Sequence, residues 1–382
     1  AAERAQALGR PPAALERGRG DDADHRALDA VKALALATAA RTTAPSPADV
    51  QVDVTRRHGE DWAFGTSVVT APAVADAYPD GWLFLARRTA EGWRIAFDGE
   101  PDFAELAATA AVLSDRERGL LGRGAERPYA GSDFRTGMRL PYATGQAWAM
   151  TGGPHGWSGT AAPWSSVDLS GGDGRVLAAR AGLAYTMCGN GKGWIRVLHD
   201  RGYATDYYHL SGNIAANGLS VDEGGYLGNT GTDTSCGGSA TGAHVHFALR
   251  QNDAYVPLHG HNLGGWVVQA AGAAYEGSAL HGSTRAQVDG TLVNYGALGL
   301  TSGIVDAFDD PSVNRRSGPG TDYPVVGTVA DGTTIDISCS ANGTSHTGRW
   351  GTTSLWNRLP DGTWISDAFV WTGSAAPVNG TC

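Results

Sequence analysis

Charge is scarce in this chain: Asp, Glu, Lys and Arg together make up 18% of its 382 residues. Lysine is nearly missing, since Lys32 and Lys192 are the only lysines among 29 basic residues, a codon bias with no functional weight. Long apolar runs are missing too. The best of them, 27–40, is interrupted by Asp29 and Lys32 and is too short to span a bilayer, which argues against a membrane partner. Only four cysteines occur and none forms a C-x-x-C pair, so a cysteine zinc knuckle and a thioredoxin-type motif are excluded. A formal charge of −10 argues against nucleic acid as a partner, because its phosphates demand a basic face. No H-E-x-x-H motif is present.

Glycine is abundant instead, at 55 residues, with 12 Trp and 12 Tyr, in a chain that is 42% hydrophobic. That composition fits β-structure with many tight turns, because glycine supplies the positive φ that turns need. At roughly 150 residues per domain the length implies two or three domains. Cys188, Cys236, Cys339 and Cys382 allow three pairings. Cys188–Cys236 with Cys339–Cys382 keeps each bridge inside one domain and suits a secreted, extracellular protein. The small-residue start without Met fits a chain whose signal has been removed, and a monomer is expected.

The expected organisation is mainly β. A small α+β unit, 1–121, begins with helix formers at 27–41, continues through extended runs at 50–56, 62–69, 82–88 and 93–97, and closes with a helical patch at 102–113. Its position before an Arg-rich stretch gives it the look of a propeptide. The polar segment 114–137 opens on a capping-box pattern, Ser114-x-x-Glu117; within it, 122–137 reads as an exposed linker open to processing proteases. An all-β domain follows at 138–296, with short strands at 174–180, 194–198, 204–209, 226–229 and 245–250. A small β-domain at 303–382 ends the chain.

The middle part carries eight of the eleven histidines. In His244-Val245-His246-Phe247 a β-strand would place both imidazoles on one face and Val245 and Phe247 in the core. His155 lies in a Gly-rich turn. Thirteen residues on, Asp168 alternates with Val167 and Leu169, and a carboxylate among them needs a partner. His155, Asp168 and His246 would give a catalytic zinc three protein ligands and an open position for water. His209 could return to the same cleft. His199, His259 and His261 are weaker candidates, the last two for the cleft rim.

This ordered set, His155 with Asp168, then Tyr208-His209-Leu210, then Gly242-Ala243-His244-Val245-His246-Phe247, resembles the motifs of the M23 metallopeptidases. The likeness is to the β-lytic/LasA-type branch of these zinc peptidoglycan endopeptidases, with Cys188 and Cys236 placed as a disulfide pair is there. The resemblance implies an all-β M23-type peptidase domain with Zn²⁺ on His155, Asp168 and His246, and His209 and His244 as the unliganded catalytic pair. It also implies bacterial cell-wall peptidoglycan as substrate, cut next to glycine. The run 314–327, with Trp350-Gly351 and Trp364-Ile365, resembles a bacterial SH3-like barrel, in which Tyr323, Trp350, Trp356 and Trp364 are either wall-binding surface or core. Two other readings use the same residues: a non-catalytic wall-binding or regulatory protein, and a general protease of Gly-rich proteins. The complete set of five site residues favours an enzyme over the first of these.

Overall fold

A computed structural model of the chain describes residues 14–39, 45–122 and 133–382. Residues 40–41 of the expected 27–41 helix and most of the expected 122–137 linker, where processing is expected, lie outside the described residues. The fold is mainly β, and among the described residues no helix is long and apolar enough to cross a membrane.

The N-terminal unit packs helix α1 (Ala14–Thr38) on a four-stranded antiparallel sheet of β1 (Val50–His58), β2 (Trp62–Val69), β3 (Asp80–Thr89) and β4 (Gly92–Phe97), paired in sequence order. On the helix side Val31 and Ala35 meet Val50, Phe84 and Phe97. Helices α2 (Pro101–Thr109) and α3 (Asp115–Leu121) follow. The capping box at Ser114 forms, but the residues after it are not simply an exposed linker. Glu117 is buried, because its carboxylate accepts from Arg56 at 2.6 and 2.8 Å and from Tyr185 Oη at 2.8 Å.

The middle part continues with β5 (Ala147–His155), β6 (Ser166–Ser170), β7 (Arg175–Leu177), β8 (Gly182–Thr186), β9 (Gly193–Leu198), β10 (Tyr203–Leu210), β11 (Asn217–Val221), β12 (Tyr226–Asn229), β13 (Val245–Gln251) and β14 (Ala254–Tyr255). Its nine-stranded sheet runs β11-β8-β9-β10-β13-β6-β5 and ends on Thr291–Val293, with β14 beside β13. Alternation sorts the two faces. Ile195, Val197, Tyr207, Val245, Phe247 and Leu249 enter the main core. Trp194, Tyr208 and Ala248 face the other way, where Phe64, Leu83 and Leu85 of the N-terminal unit cover them in a shared cluster. The site face of the sheet is therefore buried beneath the N-terminal unit.

Both expected disulfides are present, Cys188–Cys236 and Cys339–Cys382. The C-terminal strands form three- and five-stranded sheets over Val305, Ile335, Leu359, Ile365 and Val370. Trp356 is core and Tyr323 is exposed. Within the five-stranded sheet, a register shift separates Arg315 from Arg316.

Burial opposes the charge on Glu117, yet Arg56 and Ser114 outweigh it and hold the carboxyl down to about 2. A depressed carboxyl stabilises the fold above its unfolded value of ~4.3, and that contribution is lost as pH falls from there towards about 2. Glu117→Ala should destabilise the docked N-terminal unit by on the order of 2 kcal/mol at pH 7, with the difference shrinking across that window. Thermal unfolding of the two proteins checks this; equal stability at pH 7 contradicts it.

Candidate metal centre

Sheet register brings the first site residues together. Across β13 and β6, His246 is paired with Asp168, and across β5 and β6, Gly152 is paired with Asp168 and His155 with Ser166. His155 thus sits at the end of a strand, in place of the expected turn. The register slips between Met150 and Gly152 and again before His155, which leaves the ring facing Asp168. Gly152 has a steric role here: a Cβ on it would fall 2.5 Å from Asp168 Oδ2.

Three donor atoms converge. His246 Nδ1 lies 3.0 Å from Asp168 Oδ1 and 3.1 Å from His155 Nε2, and His155 Nε2 lies 3.6 Å from Asp168 Oδ1. Four nitrogen or oxygen ligands at ~2.0–2.1 Å around a tetrahedral ion would stand about 3.3 Å from one another, so the spacing fits a divalent metal. His155 donates Nδ1–H to Gly153 O at 2.7 Å, which leaves the Nε2 lone pair for a metal. Among the described residues these three form the group able to hold an ion. Both histidines are fully buried, and burial pushes His155 down to about 4 and His246 well below its ordinary value, so each stays in the neutral, ligating form.

His209 and His244 flank this group. Strand alternation from Tyr208 would send His209 to the opposite face. A register shift after Tyr207 and a left-handed backbone at His209 (φ 65°) turn it back, which is how bulges re-aim side chains at sites. Its ring lies 4.8 Å from that of His244. His209 Nδ1 donates to Asp233 O at 2.9 Å and His244 Nδ1 to Gly242 O at 2.8 Å, so both rings keep an Nε2 acceptor. His209 Nε2 is buried without a partner, and burial pushes that imidazole down to about 3.

The weaker candidates do not join. His199 bonds Ala181 O and Thr205 Oγ1, His259 accepts from Ala270 N, and His261 packs edge-on to Phe134. Sequence reasoning missed Tyr78 of the N-terminal unit, whose ring stacks on His246 at 4.5 Å and meets His209 edge-on at 5.8 Å. It also missed Tyr275, stacked on His155 at 4.0 Å. Tyr78 leaves no local signal, because only docking of its loop carries it there.

The sequence profile of Peptidase family M23 matches residues 162–257. Protease LasA of Pseudomonas aeruginosa is 35% identical over 150 residues, 36% of this chain and 35% of that protein. The chain thus spans about a third of LasA's length. The Beta-lytic metalloendopeptidase of Lysobacter enzymogenes is 32% identical over 151 residues, 36% of this chain and 83% of that protein. The solved structure of pseudoalterin, a novel M23 metalloprotease from the deep sea, is 30% identical and covers 41% of this chain and 97% of its own, with a TM-score of 0.38.

Gly152→Ala should crowd Asp168 and weaken metal binding by roughly 10–100-fold, while Asp168→Ala should abolish it. Metal content of the purified proteins by plasma mass spectrometry checks both; undiminished metal in Asp168→Ala contradicts the assignment.

Proposed function

The chain belongs to peptidase family M23, and from that premise we propose that it is a secreted zinc-dependent endopeptidase that cuts glycine-containing peptide bonds in peptidoglycan cross-bridges and is made as a precursor. The observation that carries this reading is the convergence of His155, Asp168 and His246 beside a second, unliganded histidine pair. Those three would hold Zn²⁺. Bound there, zinc would lower the pKa of a water to ~7 and polarise the scissile carbonyl. His209 and His244, each fixed in tautomer by a backbone carbonyl, present Nε2 to the cleft. Between them they take the proton of the attacking water and hydrogen-bond the developing oxyanion. No glutamate base of the H-E-x-x-H kind is present, so that work falls to imidazole. The C-terminal unit is read as an SH3-like wall-targeting module, with exposed Tyr323, Val325 and Val326 as its apolar surface.

Latency is supported by the path of segment 70–79. Ala71 N donates to Cys236 O at 2.9 Å, Gly238 N to Pro72 O at 3.1 Å, and Trp157 Nε1 to Pro79 O at 2.7 Å. Tyr275 Oη donates to Asp76 Oδ1 at 2.8 Å. These bonds hold the segment against the 236–238 loop, Trp157 and Tyr275, and Tyr78 covers the ring of His246.

The protein is assayed intact, and after cleavage within 122–137, on purified walls of differing cross-bridge, with and without chelator, and new amino termini are read by mass spectrometry. The cut form should release glycine termini, chelator should stop it, and His209→Ala should keep its metal but lose turnover. Equal lysis by intact and cut protein contradicts latency, and chelator-insensitive lysis contradicts the zinc mechanism. Within the intact chain, Tyr78→Ala removes an aromatic contact of about 0.5–1.5 kcal/mol and should raise activity roughly two- to tenfold.

A further inference from the structure

The sheet face that carries His246 also carries two arginines that this mechanism leaves unused. Arg196 on β9 and Arg250 on β13 are 0% and 5% exposed. Asp206, itself fully buried, accepts from Arg196 Nε at 2.8 Å and Nη2 at 3.1 Å. The partners of Arg196 Nη1 come from the N-terminal unit: Gly81 O at 3.1 Å and Asp98 Oδ2 at 3.2 Å. Arg250 Nη1 reaches the same Asp98 oxygen at 3.4 Å, its Nη2 donates to Asp253 O, and its Nε has no partner. Burial and the nearby Asp98 push the Asp253 carboxyl up, which weakens it as a counter-charge. Asp206 balances one guanidinium, and Asp98 supplies the second negative charge from outside the sheet.

An aromatic floor joins these arginines to the metal group. Trp157 is edge-on to His246 at 5.1 Å and stacks on Tyr255 at 5.3 Å, and the Arg250 guanidinium lies over Tyr255 at 5.2 Å. His246 and Arg250 are four residues apart on one face of one strand, roughly 13 Å at ~3.3 Å per residue, or about four extended residues of a bound peptide. When the N-terminal unit leaves, Arg196 Nη1 and Arg250 Nη1 lose the carboxylate they share.

We propose that Arg196 and Arg250 form a carboxylate-binding subsite of the peptidase groove, which Asp98 fills in the precursor and a substrate carboxylate fills in the freed enzyme. The proposal rests on the endopeptidase reading above. Two guanidinium Nη1 groups converging on one position suit a carboxylate oxygen in geometry and charge, and its source is either the free C-terminus of a peptide or the side chain of an acidic residue. Asp98 is thereby a mimic of the substrate anion.

The full chain, cleaved within 122–137, is assayed on glycine-containing peptides that differ in one group. One pair carries a C-terminal carboxylate or its amide; the other carries Glu or Gln three to four residues to either side of the glycine. One acidic member should show a KM about tenfold lower than its neutral twin with little change in kcat, and which pair responds identifies the source. Arg250→Gln should shrink that gap to roughly twofold or less. Equal KM for every acidic and neutral pair overturns the subsite while leaving the endopeptidase intact. Failure to cleave any of these peptides or any wall overturns both. Where Arg250→Gln does not fold, the wild-type comparison decides alone.

Discussion

Two ring nitrogens and a carboxylate oxygen lie 3.0 to 3.6 Å apart in a site with two fully buried histidines, so their lone pairs need either a shared proton on His246 Nδ1 or a cation between them. The rest of the structure holds that arrangement in place. Backbone pairing of β5, β6 and β13 sets the three residues side by side, Gly152 leaves room for the carboxylate, and the Gly153 carbonyl selects the His155 tautomer. Rigid strands suit such a site better than loops, because ligand placement then follows from sheet register.

The second organising feature is the cover on that site. One face of the sheet is core in the ordinary sense, whereas the other is shared with the N-terminal unit, with Phe64, Leu83 and Leu85 in one cluster with Trp194, Tyr208 and Ala248. The contact mixes apolar packing with buried charge, in the Arg56–Glu117–Tyr185 and Asp98–Arg196–Arg250 groups. Charge pairs of this kind fix the geometry of docking more than they strengthen it. A cover held in one register can hold 70–79 against the 236–238 loop and set Tyr78 against His246.

Where the signal was local, the sequence was legible. The alternation in His244-Val245-His246-Phe247 separated site face from core face, since a period of two needs no tertiary knowledge. The disulfides followed from keeping each bridge inside one unit. His155 was expected in a turn, because glycines mark turns; here Gly152 instead permits close approach to Asp168 at a strand. The inward aim of His209 depends on one left-handed residue at a bulge, which no residue pattern announces. The capping box announced the start of helix α3, but not the burial of Glu117, whose partners Arg56 and Tyr185 are each more than sixty positions away. Tyr78 and Asp98 were silent for the same reason.

Anomalous X-ray scattering from crystals of the full chain, collected on either side of the zinc absorption edge, bears most directly on the metal site. A single strong peak should appear about 2.0–2.2 Å from His155 Nε2, Asp168 Oδ1 and His246 Nδ1, with His209 and His244 beyond bonding distance. No peak there in zinc-replete crystals, or a peak bonded to other residues, would contradict it.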